Sequence, residues 1–372
     1  MTDNKEFRPP AQNELEVSLF GPGYGESVLL HIGNGQWIVV DSCIGPSGGD
    51  AAALTYLERI GINAEQSVVL VVITHWHDDH VRGIRAIVKK CASAKVAISA
   101  AFQQDEFLNL ASVLGRRPLP ETGLDELIEV FRLLQERSDG ALFEHPVAAI
   151  QDRLLLTRRI VLNGDECQAL VHSLSPTDPA VLRACGAFAA LYPKEGDQPK
   201  RVVPPTRNDA SVVLWVEVGD HKMLLGADLE NDLTFGWSFL IDNSAARSGT
   251  AEVYKVSHHG AESGHDPRVW DQILSPNPMA VLSPWTLAGH SLPTAADSER
   301  LNKLTTNAYI TAPITRRRLR LREHKVQQMV ESTTRIIEEV GLGWGHVRLR
   351  HLINDVNDNW RVELFGDARP LA

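Results

Sequence analysis

Six consecutive residues hold the densest reactive chemistry of this chain: His75-Trp76-His77-Asp78-Asp79-His80. Imidazole nitrogen and carboxylate oxygen are the donors taken by Zn²⁺ and other borderline divalent ions. On extended backbone, residues i and i+2 project to the same side, so His75 and His77 can chelate one ion. Asp79 and His80 follow at the turn and can reach a second ion a few ångströms away. One or two histidines in a polar loop would ordinarily mean a solvated turn. Three histidines and two aspartates in six residues, directly after an apolar run, read as a metal site.

The elements that must position this segment are legible around it. Ser67–Thr74 (SVVLVVIT) is a continuous β-branched run, the signature of a strand covered on both faces, and Val81–Cys91 reads as the helix that follows. Upstream, Leu15–Phe20, Ser27–Ile32 and Gln36–Asp41 form a β-meander with Gly-rich turns, and Ala51–Ile60 is helical. Lys95–Ser99 is a further strand. Residues 101–150 alternate helical patterns with loops such as Arg116-Arg117-Pro118-Leu119-Pro120, which predicts a helical insertion bordering the cleft. Strand patterns return at Arg153–Leu162 and Cys167–Ser173, and the Pro- and charge-rich stretch 193–207 reads as an exposed loop. Ser211–Val218 and His221–Leu225 make a hairpin around Gly219-Asp220. Glu252–Ser257 and Ala280–Leu282 are buried strands, Glu323–Val340 is an amphipathic helix closed by Gly341, and Val347–Leu352 with Trp360–Phe365 form a last strand pair. Two comparable halves predict an α/β fold of the αββα type: two mixed sheets packed face to face with helices outside. The organisation expected is one domain over 1–372, with the insertion at about 101–150 and a C-terminal extension at about 312–372.

Bulk properties narrow the class. Of the 372 residues 43% are apolar and 23% charged, an ordinary globular profile able to bury a full core. No apolar run approaches the roughly 20 residues of a membrane span, and the polar start Met1-Thr-Asp-Asn-Lys-Glu has no apolar segment behind it, so no membrane partner and no secretory signal are expected. Cys43, Cys91, Cys167 and Cys185 form no CxxC pair, which argues against a zinc ribbon and suits a reducing, cytoplasmic setting. The net charge of −10 argues against a surface coated for nucleic acid, though not against one local basic groove. Gly21–Ser27 lacks the Gly-Lys-Ser/Thr ending of a phosphate loop, so no nucleotide-triphosphate site is read there.

The six-residue segment resembles the HxHxDH motif of the metallo-β-lactamase superfamily, and other pieces follow in the family's order. Asp41, ending Trp37-Ile38-Val39-Val40-Asp41, resembles the aspartate that buttresses the ligands. Asp228, in Gly226-Ala227-Asp228, resembles the aspartate that bridges two ions. His258-His259-Gly260 resembles the HHG motif of the branch that includes the ComEC-attached domain and the teichoic-acid phosphorylcholine esterases. Gly23-Tyr24-Gly25-Glu26-Ser27, Leu174-Ser175-Pro176 and Asn208-Asp209-Ala210-Ser211 are similar to weaker elements of that branch. There are departures. The histidine that lactamases carry before the bridging-aspartate hairpin is missing, with Asn208 nearby. GD becomes Gly226-Ala227-Asp228, and HHGS becomes HHGA. The HHG pair is then expected to supply a ligand, His259 ahead of His258. His290 is a candidate for a further downstream ligand with His265 as rival, whereas His31 and His172 read as ordinary strand histidines.

The resemblance implies a dinuclear hydrolase with two Zn²⁺ (or Mn²⁺), bridged by Asp228 and a hydroxide that attacks an ester centre, with Asp41 and Asp79 in support. The branch points to a phosphodiesterase, nuclease activity and a nucleic-acid substrate included. Hydrolysis of another ester or a lactone is the alternative, as is a subunit of a multi-protein system whose metal site is regulatory; protein partners cannot be read. Arg316-Arg317-Arg318-Leu319-Arg320-Leu321-Arg322 reads either as solvated charge or as a phosphate-contacting strand face.

Overall fold

Alternation of apolar residues along the strands decides the layering. In the computed structural model, which describes residues 7–23, 25–45, 48–114, 123–137, 145–162, 165–193, 207–287, 290–314, 343–355 and 359–372, alternate side chains of each central strand enter different cores. Leu70 and Val72 join one buried cluster, Val71 and Ile73 another. That two-sided burial is why the SVVLVVIT run has no polar face. The basic run Arg316–Arg322, the helix expected at Glu323–Val340, the Arg116–Pro120 loop and most of 193–207 lie outside the described residues.

The first sheet contains β1 (Glu14–Pro22), β2 (Ser27–His31), β3 (Trp37–Val40), β4 (Val68–Ile73), β5 (Lys95–Ser99) and β6 (Val147–Ala149). The second contains β7 (Arg153–Leu162), β8 (Asp165–Ser173), β9 (Leu214–Val218), β10 (His221–Leu225), β11 (Ala251–Lys255) and β12 (Leu274–Leu282). A short hairpin, β13 (Trp285–Leu287) and β14 (His290–Leu292), follows. Then come β15 (Ala308–Ile310), β16 (Trp344–Leu352), β17 (Arg361–Gly366) and β18 (Arg369–Pro370). The orders are β17-β16-β1-β2-β3-β4-β5-β6 and β18-β15-β12-β11-β10-β9-β8-β7. Both sheets mix parallel and antiparallel neighbours. The expected last strand pair therefore belongs to the first sheet, with β16 on β1, while β15 and β18 complete the second.

Apolar residues on the inner faces, such as Val17, Leu30, Val72, Val216, Leu225 and Val253, form the core between the sheets. Helices cover the outer faces: α1 (Ala52–Arg59), α2 (Ala64–Ser67), α3 (Asp78–Val81), α4 (Ile84–Lys90), α5 (Asp105–Leu114), α6 (Gly123–Arg137), α7 (Asp178–Ala190), α8 (Trp237–Asn243) and α9 (Ala295–Leu304). The αββα sandwich expected from the two halves is the fold observed.

Three local differences have physical causes. The helix expected over Val81–Cys91 is two helices, because Gly83 adopts φ +87° and turns the Arg82 carbonyl onto Ser42 Oγ at 2.9 Å. The strand expected from Ser211 starts at Leu214, because Val212 N donates instead to the Thr74 carbonyl at 3.1 Å. Helix α7 is not among the sequence expectations, although Thr177 caps it by accepting from Ala180 N. The insertion supplies α5 and α6. Gly123 N donates to Asp78 Oδ1 at 2.7 Å, and Trp76 packs on Phe102, Phe107 and Phe188.

One turn locks the metal-type segment to the first sheet. Gly25 has φ +122°, a Cβ there would lie 2.0 Å from the Asp79 carbonyl oxygen, and Glu26 N donates to that oxygen at 2.9 Å. Gly25→Ala is therefore expected to cost about 2 kcal/mol or more. Gly186→Ala, in α7 with open space around it, should instead stabilise by roughly 0.5–1 kcal/mol. Denaturant melts of the two variants check the contrast.

Candidate metal centre

Histidine tautomers define this site. The single hydroxyl proton of Thr74 goes to Asp41 Oδ2 at 2.6 Å, so His75 Nδ1, 2.9 Å from Thr74 Oγ1, must be the donor of that contact. His80 Nδ1 lies 2.8 Å from Asp41 Oδ2, and His259 Nδ1 donates to the Ser283 carbonyl at 3.0 Å. Each ring is thus tethered through Nδ1 and turns its Nε2 inward. All three Nε2 atoms are buried without a hydrogen-bond partner among the described residues, as is Asp228 Oδ1. Buried polar atoms are rarely left so, and three imidazole nitrogens turned towards one carboxylate are the arrangement a divalent ion would satisfy.

The donors converge. Asp228 Oδ2 lies 3.4 Å from His80 Nε2, 3.4 Å from His259 Nε2 and 3.9 Å from His75 Nε2. Asp79 Oδ2 is 3.3 Å from His259 Nε2 and 4.0 Å from His80 Nε2. Asp79, His80, Asp228 and His259 form a set whose ligand atoms lie within 4.8 Å of one another, which fits a tetrahedral divalent ion. Asp41, His75 and His80 are equally close together, but Asp41 already accepts from Thr74 N, Thr74 Oγ1 and His80 Nδ1. That group is a brace rather than a second cage.

The remaining candidates fall around this set. His77 is half-buried, with its ring 4.9 Å from that of His75 at near right angles. His258 points Nδ1 at Ser263 Oγ (2.8 Å), with its Nε2 3.5 Å from Asn208 Nδ2. His290 is exposed on the β13–β14 hairpin and, like His265, belongs to neither group of converging donors.

Backbone strain concentrates here. Asp41, Ala227, His258 and His259 all have φ between 44° and 58°, an uncommon conformation for residues other than glycine. At Ala227 it aims the carbonyl at Lys255 Nζ (2.9 Å) and His258 N (3.1 Å).

Two charged residues of the site are missing from the sequence reading. Glu26 and Lys255, each about 2% exposed, form a buried ion pair, and Lys255 Nζ lies 3.7 Å from Asp228 Oδ1. A lysine inside the apolar run Val253–Val256 was the available signal.

The charges are coupled. Burial and the neighbouring His80 and His77 hold His75 well below the ordinary histidine value. Burial would lower His80 and His259 too, but Asp228 and its carboxylate neighbours outweigh it. His80 is raised well above the ordinary range and His259 to about 10. Asp228 is held far down, because His259 and His80 outweigh the desolvation that would raise it.

The family model described as Metallo-beta-lactamase superfamily matches residues 20–136, which include Asp41 and His75–His80. Comparison with curated proteins gives no match. Among solved structures, the metallo-beta-lactamase fold protein YhfI from Bacillus subtilis is similar at 13% identity and TM-score 0.37, covering 80% of this chain and 95% of that one. Human tRNase Z, short form, shares 13% identity at TM-score 0.33, covering 79% and 89%. MEM-A1, a subclass B3 metallo-beta-lactamase from a soil metagenome library, shares 14% identity at TM-score 0.32, covering 71% and 86%. The architecture is the metallo-β-lactamase fold. No helix among the described residues is long and apolar enough to cross a membrane.

The raised histidines set a pH dependence. For His259, pairing with carboxylates stabilises the metal-free protein fully below the unfolded histidine value near 6.5 and is lost as pH rises through about 10; His80 is shifted in the same direction. The depressed Asp228 works oppositely: its contribution is present above about 4 and lost on acidification. Ligation requires neutral imidazole, so a divalent ion must expel both protons. At pH 7, calorimetric titration of metal-free protein with Zn²⁺ in buffers of different ionisation enthalpy should therefore show release of about two protons. The gain in melting temperature on adding Zn²⁺ should grow between pH 6.5 and 9.

Proposed function

We propose that this chain is a dinuclear-metal-dependent hydrolase acting on phosphodiesters. In this reading Asp79, His80, Asp228 and His259 hold one divalent ion, and His75, His77 and Asp228 hold the other. One observation carries it: three buried imidazoles, tethered through Nδ1, present unmatched Nε2 atoms to a shared carboxylate. Zn²⁺ or Mn²⁺ bound there would polarise the ester and acidify a water to near neutrality.

The chain's own residues do the positioning. Asp41 fixes the His80 ring and, through Thr74, the His75 ring. Lys255 draws on Asp228 Oδ1, leaving Oδ2 to face the histidines. His258 and His290 are left out of the ligand set, the first turned to Ser263 and the second exposed. The preference for phosphodiesters is supported by the likeness of His258-His259-Gly260 to the HHG branch, with Arg316–Arg322 proposed as a phosphate contact. The chain is proposed to act as one domain with the α5–α6 insertion beside the site.

Elemental analysis after reconstitution should find about two Zn²⁺ or Mn²⁺ per chain. The loaded protein should hydrolyse bis(p-nitrophenyl) phosphate in preference to simple lactones. His77→Ala and Asp228→Ala should each lower kcat/KM by roughly a thousandfold or more while keeping the far-ultraviolet circular dichroism. Absence of bound metal would overturn the site; lactone turnover without diester turnover would overturn the substrate class.

A further inference from the structure

Next to the metal centre, on the side of His75 and His77, lies a cavity of about 320 Å³. A cavity of about 150 Å³ is enough to take benzene, so the space accommodates one ring-sized substituent with room for polar groups on it. Its walls differ in kind. Trp76, Phe102 and Phe188 form an aromatic wall with ring centroids 5.4–6.2 Å apart, and Ala184 and Ala187 of α7 keep the space in front of it open.

The facing wall is polar, with Arg183, Arg207 and Asp209 lining it. Asp209 takes Arg183 Nη1 at 3.1 Å on one oxygen and Arg207 Nε at 3.5 Å on the other. Arg207 Nη2 reaches Asp232 Oδ2 at 3.1 Å, and the Arg183 guanidinium lies over the Phe235 ring at 4.7 Å. Both cations are pinned. Two other groups of this wall are not: Asn208 Oδ1 and Ser211 Oγ are buried and have no hydrogen-bond partner among the described residues.

We propose that this cavity receives one arm of the ester substrate, a compact, ring-sized, uncharged group that packs on the aromatic wall and gives a hydrogen bond to Asn208 Oδ1 or Ser211 Oγ. This rests on the hydrolase reading and narrows its substrate class. An apolar pocket with a few convergent polar atoms is the usual composition of a small-molecule site. Buried acceptors left open call for a donor from the ligand. Both lining arginines are held in ion pairs, Arg207 with Asp232 behind the wall, so the negative centre of the ester belongs over the ions and the neutral arm in the cavity.

The test is calorimetric binding of methylphosphonate, phenylphosphonate and 3- or 4-hydroxyphenylphosphonate to zinc-loaded protein. Phenylphosphonate should bind about tenfold or more tighter than methylphosphonate. One of the hydroxylated rings should gain further, and Ser211→Ala or Asn208→Leu should remove that gain. Ala187→Trp and Ala184→Phe, which fill the cavity from α7, should erase the phenyl-over-methyl preference. Equal affinities in the wild type, no gain from either hydroxyl, or a preference that survives in both filled variants with unchanged melting temperature overturns the proposal. Zinc uptake is scored in its own titration and phosphonate binding needs no turnover. Failure of the hydrolase reading therefore shows separately, as an intact arm preference in a zinc-loaded protein that cleaves no ester.

Discussion

The carboxylate of Asp41 is the contact on which the site depends. It accepts Thr74 N at 2.8 Å on one oxygen, and Thr74 Oγ1 at 2.6 Å and His80 Nδ1 at 2.8 Å on the other. Its own carbonyl accepts Ser27 Oγ at 3.1 Å, and its N–H bonds to the Val72 carbonyl. One residue at the end of β3 thus ties β2, β4 and the histidine segment together. It also decides protonation: by taking the Thr74 proton it obliges His75 to donate through Nδ1, and by taking the His80 proton it does the same there. A neutral or shorter side chain at this position would leave two ligand rings free to rotate.

Burying this much charge is costly unless it is balanced. Glu26, Asp41, Asp79 and Asp228 crowd around Lys255 and two histidines whose affinity for protons is raised. Without metal, the imidazoles keep their protons because the carboxylates outweigh desolvation. Exchange of those protons for divalent ions keeps every carboxylate paired and turns the local balance towards positive. The arrangement that stabilises the metal-free core would therefore also suit the anionic ester proposed as substrate.

How much of this could be read in advance follows from how local each interaction is. The strands were legible because β-branched runs and period-two alternation are local properties, and SVVLVVIT declares its two buried faces. The donors of His75–His80 were legible because they are adjacent in the chain. The preference for His259 over His258 came from the resemblance alone, since its physical basis is two successive left-handed residues that composition does not announce. Glu26 and Lys255 stayed hidden because each looks ordinary until the fold brings them together. The break at Gly83 depends on Ser42, far away in sequence, and the aromatic cluster needs Trp76, Phe102, Phe107 and Phe188 to meet from four segments of the chain.

The strain at the HHG segment explains how the second half of the chain is brought to the first. His258 N is held by the Ala227 carbonyl, His259 Nδ1 by the Ser283 carbonyl at the end of β12, and the Gly260 carbonyl by Arg300 of α9 at 2.7 Å. These three contacts over-determine a conformation that costs about 1–3 kcal/mol per residue. Their effect is to aim His259 and Asp228, both from the second sheet, at His80 and Asp79, which the first sheet positions through Asp41 and Gly25. The donor set therefore spans the seam between the sheets. An ion held by all four would join the two sheets at their shared rim, so metal binding and the packing of the two halves reinforce one another.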